Sequence, residues 1–537
     1  MNNTERMPAA LRCLWWLSLA WGIGLIWSVH RPPLIDLPQH LAQVSLLRDL
    51  LQGQSPWSAQ VWINPWTPYL SGYGALLGLS ALMPMLAAVK ALLTLAYLAF
   101  VGMSVALRRH FGAPEVLDWM VLPVFFGFAY QWGFLTFLVS APIGLLFLLV
   151  ADRWCEHRSG GRMAAVLAVG LWLLCSHGLM FMFCWGVGAM FALCGTGRQG
   201  AAASRLRAMA VTAAPFALLG LACAAYVLMA RANEHKLASE VMAAPQWHWN
   251  VAKRLGDLVV YPLDNHMALP ALLGGLVLWL APWLTGWLPS GPWVRRAHVP
   301  FAAVVLVFLA VPHFALGTAF LFQRFGLLVF PLYGWLFTRR ATGWLGQART
   351  LPALAAVLLV LSSWGTLGAL TSETLAYERE SKGLDEVLSA MAPGQRALYL
   401  PLSMDSTAYE RTAVYLHAGA YYQAERQGWV DFNFSWFAPQ IVRIRPEYRP
   451  PVTQEFGWAP LTLDWHKHDA QRYRYLLFRS TLAANSARLM RRSPCQTRLV
   501  AAVGAWQAYE QFSCPTGEQT AGPIGLPEDS KVTASGD

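Results

Sequence analysis

Charge is scarce in this chain. Of its 537 residues only 13% are Asp, Glu, Lys or Arg, whereas 56% are hydrophobic. A soluble domain cannot bury that much apolar surface, so the composition excludes a water-soluble enzyme and implies a polytopic membrane protein. Acids are scarcer still, 29 against 40 bases. No Lys/Arg tract and no zinc-finger spacing stands behind that excess, which argues against nucleic acid as a partner. No internal repeat is evident, which counts against secondary transporters built from repeated halves. No A-x-A site follows the first apolar run, "LRCLWWLSLAWGIGLIW". It therefore reads as a retained helix and not a cleaved signal. Cysteines number eight, and only Cys495 and Cys514 lie outside the apolar half. In an oxidising compartment those two are expected to form a disulfide.

What is present is tryptophan, 26 residues of it, and long apolar segments. Indole favours the membrane–water boundary. Candidate spans fall at 11–29, 67–84, 86–107, 116–131, 132–151, 163–178, 178–194, 209–230, 268–287, 300–316, 321–338 and 350–370. Basic clusters at Arg108 and Arg109, Arg153 to Arg162, Arg198 to Arg207, Arg295 and Arg296, and Arg339 to Arg349 mark the inner side. Residues 30–66, 231–267, the turn near 317–322 and everything after 370 then lie outside. Between loop 30–66 and Arg108 the chain has to cross an odd number of times, yet two candidate segments stand there. Either one of them does not fully span, or 116–151 is a single kinked crossing. The expectation is an odd number of spans, about eleven.

After residue 370 the pattern changes. "AYERESKGLDEVLSAMAPGQRALYLPL" reads as an amphipathic helix, a Pro-Gly turn and a strand, and "RYRYLLFRS" and "RLVAAVGAWQAYEQF" as further strands. The division is a membrane domain over 1–370, an α/β domain over 371–520 outside the membrane, and a disordered tail over 521–537.

The outer boundary collects the polar residues that could do chemistry. "RPPLIDLPQHLAQ" places Asp36 and His40 in the first outside loop, at the start of a helix expected to lie along the membrane. Gln131 falls at the next outside turn and His177 at the one after. Asp264 and His266, His313, and Arg324 follow near later outer ends. Taken singly each has an ordinary reading: a helix cap, a hydrogen-bonded interfacial histidine, an arginine reaching lipid phosphate. Together, ionisable groups at membrane depth point to function. "LDWHKHDAQRY" would put His466 and His468 on one face of a strand, as a metal site needs, or it is a solvated loop. The aromatic stretch "YLHAGAYYQAERQGWVDFNFSWF" suits sugar faces, a core or a docking surface.

This arrangement resembles the GT-C superfamily of integral membrane glycosyltransferases. "FQRFGLLVFPLYG" is similar to the arginine-bearing late helix of the aminoarabinose and mannosyl transferase relatives, and "DLPQHLAQ" looks like a "D-Y-P-N-H-L-A-R" stretch of bacterial membrane proteins assigned there. The resemblance implies transfer of a sugar from a polyprenyl-phosphate donor to a periplasmic or lipid-linked acceptor hydroxyl, in the bacterial inner membrane, with the site and C-terminal domain periplasmic. It implies Asp36 as general base and Arg324 on the donor phosphate, with His40 a second catalytic residue that orients Asp36, binds phosphate or helps hold a metal; by their shared depth His177, His313, Asp264, His266 and Gln131 are expected to bind substrate. Many members carry paired acids in this loop; here Asp36 stands beside His40, and Asp49 is a distant second. That leaves a divalent metal, Mg or Mn on Asp36 and His40, an open question. A transporter or flippase of an anionic solute, or a non-catalytic assembly protein of the envelope, are the other readings.

Overall fold

The computed structural model describes residues 6–194, 202–232, 245–247, 250–266, 268–289, 296–315, 318–340, 350–409, 413–448 and 457–514. The tail read as disordered lies outside them. Five helices are long and apolar enough to cross a bilayer, among them Ala9–Trp27, Met85–Phe111, Leu135–Glu156 and Leu206–Ala232, with the fifth beginning at Thr350. Shorter apolar helices run Gly160–Leu174, Gly178–Cys194, Leu269–Leu284 and Gly326–Gly334.

Two candidate spans take another form. Residues 67–84 hold the helix Leu70–Ser80, only 11 residues. At ~1.5 Å per residue that is about 16 Å, half of the ~30 Å a bilayer core needs. Its ends do not face opposite sides. Ser71 N donates to Cys175 O beside His177, and the next helix opens with the Lys90 ammonium on the Val29 carbonyl, just before the first outside loop. Residues 116–131 are not one helix either. Two 3-10 turns, Glu115–Met120 and Val124–Phe126, precede a short helix Phe128–Gln131. Pro123, without an N–H, and the extended Gly127 break the ladder.

The charges separate into two ends. At one, Arg108 bonds Asp118 at 2.7 Å, and Asp152 takes both His110 at 2.8 Å and Arg296 at 2.6 Å. At the other lie Asp36, His40, His177 and Arg324.

The C-terminal region folds around a mixed five-stranded sheet. Its strands, numbered along the whole chain, are β4 (Arg396–Pro401), β5 (Trp429–Val430), β7 (Tyr475–Arg479), β8 (Gln496–Val503) and β9 (Trp506–Phe512), in the order β5-β4-β7-β9-β8. β4 runs parallel to β5 and β7; β9 runs antiparallel to β7 and β8. The expected helix and turn before β4 are Leu384–Ala390 and Gly394. Leu398, Leu400, Leu476 and Phe478 close one face of the sheet. Cys495 and Cys514 are joined by a disulfide. His466 and His468 are not on a strand: Asp464 Oδ1 accepts the N–H groups of His466 and Lys467, which hold its carboxyl below the ordinary range, and the chain turns there.

This region is sewn to the segment 30–66. β1 (Val61–Ile63) pairs antiparallel with β6 (Val442–Ile444). Arg31 Nη2 donates to both carboxylate oxygens of Glu425, each at 2.8 Å. Gln43 spans from Ser435 to the Val442 N–H. The helix Leu37–Leu51 is thereby buried on its polar face as well as its apolar one.

Candidate active site

The helix Leu37–Leu51 starts where Pro38 fixes the backbone, and Asp36 is its N-cap residue. Its side chain makes no cap bond, so the carboxylate is free to point elsewhere. Two things hold its backbone. Ile35 N donates to Gln131 O and Asp36 N to Trp132 O, at 3.2 and 3.0 Å. Gly133 makes that approach possible. Its φ is +77°, and a Cβ there would stand 3.0 Å from Asp36 N and 3.1 Å from Leu37 N. A side chain would meet both a left-handed backbone and a closed space.

Asp36 Oδ1 lies 3.3 Å from His417 Nε2. Neighbouring bonds settle which imidazole nitrogen carries the proton. Phe434 N, which can only donate, bonds Gln39 Oε1 at 3.0 Å. Gln39 Nε2 therefore faces the Phe432 carbonyl at 3.1 Å and His417 Nδ1 at 3.2 Å, and it donates to both. His417 Nδ1 is thus an acceptor, and Nε2–H donates to Asp36.

His40 does not bond Asp36. Its Nδ1 lies 2.9 Å from the Tyr73 hydroxyl, which donates to Gln440 Oε1. Its ring also meets the Gly133 backbone and stands edge-on to Phe434 at 5.4 Å. Burial, with Arg324 and His417 nearby, pushes its pKa down to about 4, against the attraction of Asp36. At neutral pH it is an uncharged clamp.

Arg324 is buried, its guanidinium 3.7 Å over the Phe134 ring, and donates to the carbonyls of Ala319 and Phe320. It stands within electrostatic reach of Asp36, Tyr69, His40 and His177. His177 is 1% exposed, packed against Tyr69 and Phe137 at 5.2 Å each, and neither ring nitrogen has a partner among the described residues. The structure thus brings Asp36, His40, His177 and Arg324 to one place.

The other candidates stand apart from it. Gln131 gives its side chain to the Phe126 carbonyl, and its backbone carbonyl accepts from Ile35 N, the residue before Asp36. His313 bonds Gln323 at 2.6 Å and packs on Phe320, beside Arg324 but off the carboxylate. Asp264 and His266 face each other at 3.4 Å, with Glu373 as their charged neighbour. Asp49 accepts from Gln427. Sequence reasoning missed His417, Gln39, Tyr73 and Gln440. The only available signal was the aromatic density around His417, whose Phe432 and Phe434 now wall the site.

No family model matches the chain, and no curated protein matches it. Among the solved structures that it resembles are two of ArnT from Cupriavidus metallidurans, one bound to undecaprenyl phosphate and one in the apo state. Each superposes with a TM-score of 0.54 at 13% identity, over 94% of this chain and 99% or 98% of the other. A likeness over 94% of this chain shows that the protein shares the fold of ArnT, in line with the resemblance read from "DLPQHLAQ" and "FQRFGLLVFPLYG".

Proposed function

We propose that the protein is a membrane glycosyltransferase that moves a sugar from a polyprenyl-phosphate donor to an acceptor hydroxyl. The observation that carries this is that the buried Arg324 stands within electrostatic reach of Asp36 with no ion pair between them among the described residues. A buried guanidinium without a carboxylate in contact is costly, and an anionic ligand would offset it. ArnT with bound undecaprenyl phosphate supports a lipid phosphate as that anion.

In this reading the acceptor O–H gives its proton to Asp36 as its oxygen bonds the anomeric carbon. The bond from that carbon to the phosphate oxygen breaks on the opposite face, and its electrons leave with polyprenyl phosphate. Arg324 balances the charge that builds there. Tyr69 and His177 border the same space. No step is drawn through a metal at Asp36 and His40. Among the described residues no third His, Cys, Asp or Glu ligand atom is gathered with Asp36 and His40, so no three-donor set stands there. The three-ligand group among the described residues, His110, Asp152 and Glu156, sits at the opposite end, where Arg296 already occupies Asp152.

The order in which successive elements touch the two polar ends supports eleven passages, with 70–80 excluded and 115–131 counted as one broken crossing. It supports the site and the C-terminal sheet sharing the outer, periplasmic side of a bacterial inner membrane. Asp36→Asn tests the proposal. With an undecaprenyl-phosphate sugar as donor, transfer is expected to fall by roughly 10²–10⁴-fold. Unchanged transfer sinks the mechanism and favours the transporter or assembly readings.

A further inference from the structure

We infer that His417, carried by the C-terminal region, is a positioning residue for the Asp36 carboxylate. The membrane half supplies the base, and the extramembrane half supplies the group that aims it. The inference rests on the proposed role of Asp36 and adds a partner to it.

Three observations converge. The Nε2 of His417 lies 3.3 Å from Asp36 Oδ1, and both side chains are largely buried. The tautomer is set from outside the pair: Phe434 N orients the Gln39 amide, and that amide donates to His417 Nδ1. The ring plane is set as well, between Phe432 at 5.2 Å and Phe434 at 5.8 Å. A neutral imidazole held in this way has one N–H to give, and the carboxylate receives it. Asp36, unlike an ordinary N-cap, makes no bond to its own helix. The bond from His417 is what keeps one of its oxygens turned from the helix and the other available to an acceptor.

The groups facing Asp36 come from four elements. His40 lies on its own helix, Tyr73 on Leu70–Ser80, Arg324 in the segment before Gly326–Gly334, and His417 in the C-terminal region. Of these His417 alone makes a bonding contact with the carboxylate among the described residues.

The test reads Asp36 directly and does not depend on turnover. Dicyclohexylcarbodiimide reacts with a protonated carboxyl. Its incorporation at Asp36 is followed by mass spectrometry against pH in the full-length protein, with Asp36→Asn as the blank. His417→Phe keeps a ring between Phe432 and Phe434 but has no donor. It is expected to raise the labelling rate at pH 7 roughly tenfold, moving the half-labelling pH upward. His417→Gln restores an N–H and is expected to stay near wild type, a rescue that a purely packing role does not give. Gln39→Met frees the His417 tautomer from a second element and is expected to shift labelling in the same direction. An unmoved half-labelling pH in a folded His417→Phe or Gln39→Met protein overturns the inference, as does a glutamine variant that shifts as far as phenylalanine. Loss of transfer in Asp36→Asn with unmoved labelling keeps the proposed function and discards the positioning role; shifted labelling with normal transfer in Asp36→Asn does the reverse.

Discussion

The Arg324 guanidinium rests 3.7 Å above the face of Phe134 and spends its N–H groups on the carbonyls of Ala319 and Phe320. The ring and the carbonyls aim the cation but do not neutralise it. Arg324→Ala is therefore expected to weaken undecaprenyl phosphate binding by about 10–100-fold, the range of a charge-assisted hydrogen bond. Arg324→Lys should recover only part, because an ammonium lacks the planar fork and stacks less well on Phe134. Titration of the purified protein with the lipid measures both. Equal affinity in the alanine variant contradicts a phosphate role.

His40 predicts a pH dependence of stability. Its folded pKa, about 4, lies below the ordinary 6.5, so folding disfavours its proton. Above pH ~6.5 both states are neutral and the stability is fully present. As the pH falls from 6.5 towards 4 the unfolded chain takes the proton and the folded ring does not, so stability is lost across that window. The loss is about 3 kcal/mol at most. Melting at pH 7 and pH 5 in detergent should show a smaller drop for His40→Asn than for wild type. Equal drops mean that His40 is not held neutral.

How much of this was legible in the sequence depends on direction. Hydropathy and charge give depth along the membrane normal, and they placed Asp36, His177, Asp264, His266, His313 and Arg324 at one end. They do not give the angle around the bundle. Asp264 and His266 have the right depth and still turn to each other. The helix at Asp36 was readable because Pro38 and the apolar spacing mark its start. The break within 115–131 was readable as an irregularity at Pro123 but not as two 3-10 turns and a short helix, because apolar windows do not register a missing N–H. His417 was out of reach for a different reason. It meets Gln39 across 378 residues, and nothing local marks a histidine that a distant amide will orient.

The donor set at Asp36 predicts indifference to chelation. His417 has its donor on the carboxylate, and among the described residues no third ligand atom is gathered with Asp36 and His40, so a cation there lacks the protein ligands of a built site. Transfer by protein dialysed against a chelator is expected to stay within about twofold of untreated protein. A loss of tenfold or more that Mg or Mn restores overturns this and returns His40 to the role of ligand.

Gly133 gives the last prediction, because it touches the base without taking part in chemistry. Its backbone is left-handed, at φ +77°, and its missing side chain leaves room for Asp36 N and Leu37 N. Gly133→Ala adds a methyl group where 3.0 Å is available and where an L-residue is strained. The turn has to move, and the Trp132 carbonyl that holds Asp36 N moves with it. The expected cost in stability is about 1–3 kcal/mol, seen as a lower melting temperature. The expected cost in transfer is larger than that loss of folded protein explains, with kcat falling and KM for donor little changed, since Arg324 is held by Ala319 and Phe320 instead. A variant that melts lower but transfers at the wild-type kcat shows that the turn at Gly133 supports the fold and not the placement of Asp36.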